Sequence, residues 1–142
     1  MRRIKVFFIS CMLFVLCVVG LAACKKGGKA EAVLLSATDT QVVIRVDDVE
    51  GNAVLVNALE NLQGKGELTF TVSNGMVTAI NGIENGKDYN PCWMIYTSDN
   101  EMASTEWGGV EYDGQLCGGA IVGVNELTVI KGGIYIFVYQ GF

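Results

Sequence analysis

Pro91-Cys92-Trp93-Met94-Ile95-Tyr96 decides how this chain is read. The stretch holds the only proline of the sequence and one of its two tryptophans. Proline has no amide hydrogen to donate, so it suits the first position of a strand. From there successive side chains point to opposite faces of a sheet, Trp93 and Ile95 to one, Met94 and Tyr96 to the other. Both sets are apolar, which is the pattern of a central strand buried on its two sides.

The flanks supply the partners of that strand. Toward the N-terminus, residues 68–72 and 76–80 alternate apolar and polar side chains around Asn74-Gly75. Asn-Gly provides the two positive φ angles of a type I′ turn, so a hairpin is expected. Before it, Leu55, Ala58, Leu59 and Leu62 fall at i, i+3, i+4 and i+7, one face of a short helix. Asn52 is its expected N-cap, and Gly64 and Gly66 stop it. Residues 41–46 are β-branched at Val42, Val43, Ile44 and Val46 and read as a strand, followed by an acidic turn over 47–51. Toward the C-terminus, 97–106 is polar and acidic, and the glycine-rich stretch over 108–123 reads as loop with short strands. A last hairpin is expected from 127–131 and 134–140 across Gly132-Gly133. In it Tyr135, Phe137 and Tyr139 share one face, and Ile134, Ile136 and Val138 the other.

Charge separates the extreme N-terminus from the rest. The whole chain of 142 residues has a net charge of −5, is 51% hydrophobic and has no histidine. Arg2, Arg3 and Lys5 open it, and Lys25, Lys26 and Lys29 follow; beyond Ala30 four bases face fifteen acids, a net of −11. Such a surface repels phosphate backbones and argues against nucleic acid as a partner. The basic start precedes an apolar run over 6–20, the layout of an export signal. Leu21-Ala22-Ala23-Cys24 then resembles the lipobox of bacterial lipoproteins. That resemblance implies a signal peptide over 1–23, lipidation of Cys24 and a membrane anchor on the extracellular face. A transmembrane anchor is the competing reading of the same run. Residues 24–40 are then expected to be the lipidated cysteine and a flexible tether, and 41–142 the folded domain.

Of the five cysteines, Cys11 and Cys17 lie in the signal segment and Cys24 at the lipobox. Cys92 and Cys117 remain, in a compartment where disulfides persist. A disulfide between them is expected; it closes a loop of about 25 residues, worth roughly 3.5 kcal/mol in the chain-entropy model. The alternative is two separately buried thiols. Two thiols without histidine are too few ligands for zinc, so no metal is expected.

The order of these elements resembles a known family. A helix, the hairpin ending in Met76-Val77-Thr78-Ala79-Ile80-Asn81-Gly82-Ile83, then Trp93-Met94-Ile95-Tyr96 and a closing Gly132-Gly133-Ile134-Tyr135-Ile136-Phe137-Val138-Tyr139 together look like the transcobalamin-like C-terminal domain of surface lipoproteins of Gram-positive bacteria. The resemblance covers residues 41–142. It implies an α+β fold, a β-grasp-like, mostly antiparallel sheet packed on one short helix. It also implies binding or presentation of an extracellular ligand such as a corrinoid.

Two kinds of function are expected from these features. One is a ligand-binding module with no resident cofactor, in which Trp93, Tyr96, Trp107 and Tyr112 provide stacking surface beside the glycines of 108–123. The other is a protein-interaction or adhesion module whose partner is a transporter or another surface protein, using a free sheet edge. Catalysis is not expected. There is no histidine to serve as general base, and Ser36, Ser73, Ser98 and Ser104 lie in no nucleophile motif. Glu111 and Asp113 read as a solvated turn.

Overall fold

The computed structural model describes residues 27–142. The expected signal peptide over 1–23, the expected lipidation of Cys24 and the basic pair Lys25 and Lys26 lie outside the described residues. Among these described residues nine strands and one α-helix follow in order: β1 (Lys29–Ala37), β2 (Gln41–Glu50), α1 (Leu55–Gly64), β3 (Phe70–Ser73), β4 (Met76–Ile80), β5 (Ile83–Glu84), β6 (Cys92–Thr97), β7 (Ala103–Tyr112), β8 (Gln115–Ala120) and β9 (Ile134–Gln140). A six-stranded sheet has the order β1-β2-β9-β6-β8-β7, and β3-β4-β5 form a second, smaller sheet. Every pairing is antiparallel. The α+β class with one helix on a mostly antiparallel sheet is therefore correct.

Pairing explains why β6 and β9 are the centre. β9 sits between β2 and β6, with Trp93 opposite Tyr139 and Ile95 opposite Phe137. Both faces of these strands are apolar, as the alternation predicts. Val42, Ile44, Tyr135 and Phe137 face α1 and the small sheet, where Leu55, Leu59, Leu62 and Ile80 close the main core without exposed surface. Tyr135 is fully buried, and its hydroxyl accepts the Ile130 amide at 3.0 Å. Val43 and Ile136 face the other way, into a second core that contains Cys117.

The helix and the Asn-Gly hairpin stand where the sequence puts them. Leu55, Ala58, Leu59 and Leu62 are buried, and the helix ends at Gly64. The cap is Val54, not Asn52, because Asn57 Oδ1 accepts the Val54 amide at 2.9 Å and so satisfies the first turn from inside. Asn74 and Gly75 have φ of 51° and 77°, which a type I′ turn between β3 and β4 requires.

Four further expectations are corrected. The tether does not extend to residue 40, because β1 begins at Lys29 and pairs along β2. Its buried side chains at the start are Ala30 and Ala32, a residue type that gives little strand signal. The acidic turn over 47–51 is instead the end of β2, which continues to Glu50 opposite Lys29. Residues 127–131 do not pair with β9, whose two edges are already taken by β2 and β6. They form one bridge, Val54 to Thr128, and send Leu127 and Val129 into the core. The glycine-rich stretch is not mainly loop: it is the hairpin of β7 and β8. Its turn, Asp113-Gly114 with φ of 50° and 78°, is another type I′ signal present in the sequence.

The outer edge of β1 is managed by the helix. The strand bulges at Glu31 and Ala32. There the Ala32 amide donates to Asn61 Oδ1 and the Ala32 carbonyl accepts from Lys65 Nζ, each at 2.9 Å. Side chains of α1 thus satisfy backbone groups that a bulge leaves without a strand partner.

Candidate functional site

The hairpin of β7 and β8 forms the opposite edge of the large sheet, and its local sequence dictates an unusual shape. β8 pairs with β6 at Gly119 and Gly118. Across from this, the register of β7 jumps from Ser104 opposite Gly119 to Gly109 opposite Gly118. Residues 105–108 are thereby pushed out of the ladder as a wide bulge. Glycines make the bulge feasible. Gly108 has φ of 94°, and a Cβ on Gly109 would meet the Cys117 carbonyl oxygen at 2.7 Å. The Ser104 hydroxyl accepts the Glu106 amide at 3.3 Å and helps fix the outward course.

Trp107 stands on this bulge with 93% of its surface exposed. Leu116, also exposed, lies over Gly109. The electrostatic setting is one-sided. Asp99, Glu101, Glu106, Glu111 and Asp113 surround the indole in sequence, and no lysine or arginine occurs between Lys87 and Lys131. An indole face carries negative charge density and attracts cations, the more so with carboxylates nearby.

The structure does not bring the four expected aromatics together. Trp93 is 5% exposed and points into the main core. Its indole N–H donates to the Ile83 carbonyl at 2.8 Å, its amide to Asn85 Oδ1 at 2.9 Å, and its ring tilts against Tyr139 with centroids 5.2 Å apart. Tyr96 lies on the other side of β6, half-buried, its hydroxyl accepting from Gln140 Nε2 at 3.0 Å. Tyr112 packs with Tyr96, Val110 and Cys117 in the second core, where the β7–β8 hairpin covers Val43 and Ile136. Elsewhere on β2 the Asp47 carboxylate that hydrogen-bonds to the Arg45 guanidinium raises its pKa. The same ion pair lowers the Asp47 carboxyl. Of the four aromatics, Trp107 alone is presented to solvent.

The disulfide is also corrected. Cys92 and Cys117 are free and buried. The β6–β8 register places Thr97 opposite Gly118, so Cys117 falls opposite position 98, roughly 20 Å along the strand from Cys92 at about 3.3 Å per residue. Disulfide Cα atoms lie within about 7 Å. Cys92 Sγ contacts Met94 Sδ at 3.7 Å instead. Burial pushes the pKa of both thiols up, so neither is an activated nucleophile.

Among the described residues no cluster of three or more metal-ligating side chains occurs, and no helix is long and apolar enough to cross a membrane. Comparison with family models, with curated proteins and with solved structures finds no match.

Proposed function

We propose that this chain is a lipoprotein recognition module, anchored through Cys24 on the extracellular face of the membrane, that engages a cationic segment of another surface protein at the β7 bulge. The reading treats β2, β9 and β6 beneath α1 as a β-grasp-like scaffold and assigns it no catalysis. The observation that carries it is Trp107, a large apolar side chain left 93% exposed on a glycine-supported bulge of a sheet edge. Isolated apolar residues on a surface are ordinary. Here the strand makes a four-residue excursion to display one, in a stretch whose only charges are negative. Lysine or arginine side chains gain both cation–π contact and carboxylate partners there. A neighbouring main chain also finds the unpaired outer edge of β7 available.

The test is a titration of the full chain with a lysine- and arginine-rich peptide, followed by calorimetry at low and high salt. Saturable binding that weakens with salt and falls about tenfold in Trp107→Ala is expected. Equal binding by Trp107→Ala, or none by the parent, overturns the reading. Cobalamin in place of the peptide tests the corrinoid alternative on the same indole.

A further inference from the structure

We infer that a second site, on the solvent face of the small sheet, binds a saccharide. A groove of about 300 Å³ runs between the sheet and the loop after β5, a volume at the small end of ligand sites. Its floor is the pair Thr71 and Thr78, whose hydroxyls touch at 2.7 Å across β3 and β4. Its walls are Glu84, Asn85, Asp88 and Tyr89.

The loop holds its wall in an uncommon conformation. Asp88 and Tyr89 are consecutive non-glycine residues with φ of 56° and 58°. An aromatic residue rarely adopts this region, and such strain persists only where the surroundings enforce it. They do so here. The Gly86 amide donates to the Pro91 carbonyl at 2.7 Å, the Tyr89 amide to the Gly86 carbonyl at 3.1 Å, and the Phe142 amide to Asn90 Oδ1 at 3.1 Å. The result is a Tyr89 ring that is 57% exposed at the rim of the groove.

The polar inventory selects the ligand. Glu84 and Asp88 offer carboxylates, which only accept when ionised. Among the described residues the only ion pair is Arg45 with Asp47, so neither carboxylate is neutralised by a base. One threonine hydroxyl donates to the other, which leaves one O–H and several lone pairs of the pair free for a ligand. Asn85 is held in place by the fold: its Nδ2 donates to the Val77 carbonyl and its Oδ1 accepts the Trp93 amide. Two carboxylates and a hydroxyl pair that both donates and accepts favour a ligand rich in hydroxyl groups, with an apolar face for the tyrosine ring. A sugar ring has both, hydroxyls at its rim for charge-assisted bonds and C–H groups on its face. A metal ion is a poorer match, because no three ligating side chains converge there.

The site is independent of the β7 reading, and its test keeps the two apart. Saturation-transfer NMR of the full chain with methyl glucoside, methyl galactoside, methyl mannoside and N-acetylglucosamine, each up to about 10 mM, gives the readout. At least one sugar is expected to bind saturably, with transfer strongest to its ring C–H protons. Tyr89→Ala weakens that sugar about tenfold, Tyr89→Phe leaves it within about twofold, and Asp88→Asn or Glu84→Gln weakens it severalfold. Trp107→Ala leaves it unchanged. If Tyr89→Ala fails to fold, Tyr89→Phe and Asp88→Asn carry the same decision. Absence of saturable transfer from all four sugars, or equal binding by Asp88→Asn, overturns the inference.

Discussion

The chain's two tryptophans, one on β6 and one on β7, have opposite fates. Trp93 is held by two hydrogen bonds, tilted against Tyr139 and nearly sealed, while Trp107 has almost its whole surface in water. The difference is one of position in the ladder. β6 has neighbours on both sides and a layer above it, so any large apolar side chain on its inner face is covered. β7 has a neighbour on one side only, and at 105–108 it leaves even that neighbour. Exposure of an indole is thus set by strand order and register, and an exposed one at a deformed edge is where recognition is cheapest to build.

The comparison can be broken or sharpened by substitution. The largest effect is expected from Trp93→Ala, which empties part of the main core and leaves the Ile83 carbonyl without its donor. It destabilises by about 3–5 kcal/mol, read as a lower midpoint in urea; a loss below about 1 kcal/mol means that Trp93 is not the anchor described. Next is Asn85→Ala, which removes the partner of the Trp93 amide and of the Val77 carbonyl together. Unsatisfied buried groups of this kind cost about 1–3 kcal/mol, and a near-neutral result means that water replaces the side chain.

A smaller, pH-dependent effect comes from the groups buried behind these strands. Burial raises the pKa of Cys92, Cys117 and Tyr135 in the folded state. Their protonated forms are therefore held more tightly by the folded chain. The stability they contribute is complete below the unfolded values, near 8.5 for thiols and 10 for tyrosine, and is lost as pH rises through the higher folded values. Melting temperature should hold steady through neutral pH and fall above about pH 8.5. In the same range native Cys92 and Cys117 should resist alkylation, whereas denatured chain without reductant should label at both; a denatured chain that labels at neither is disulfide-bonded. The smallest effect is expected from Trp107→Ala, within about 0.5 kcal/mol of the parent, although it abolishes the red-shifted, quencher-accessible part of tryptophan emission. A larger loss of stability means that the indole packs against something.

Much of the scaffold was legible in the residues. The helix face at Leu55, Ala58, Leu59 and Leu62, the Asn74-Gly75 turn and the two-sided burial of β6 and β9 all follow from local periodicity and turn chemistry. β1 was not legible, because alanines at its inward positions resemble a spacer as much as a strand. The β7–β8 hairpin was half legible: Asp113-Gly114 marks its turn, but the glycines around it hide the pairing. The candidate site was legible only as a set of aromatics. Nothing in the spacing of Trp93, Tyr96, Trp107 and Tyr112 says which face each occupies relative to the others, and the structure distributes them over two cores and the solvent.

By itself the sequence determined the α+β class, the acidic surface, the helix, the first hairpin and the alternation of the central strands, because each depends on neighbours within a few residues. Tertiary structure alone decided that β9 lies between β2 and β6, that Cys92 and Cys117 remain apart, that Trp107 is displayed and that Asp88 and Tyr89 are strained beside a groove. These depend on which distant strands meet and in what register, and a long-range pairing leaves no mark on the residues that join it until the chain has folded.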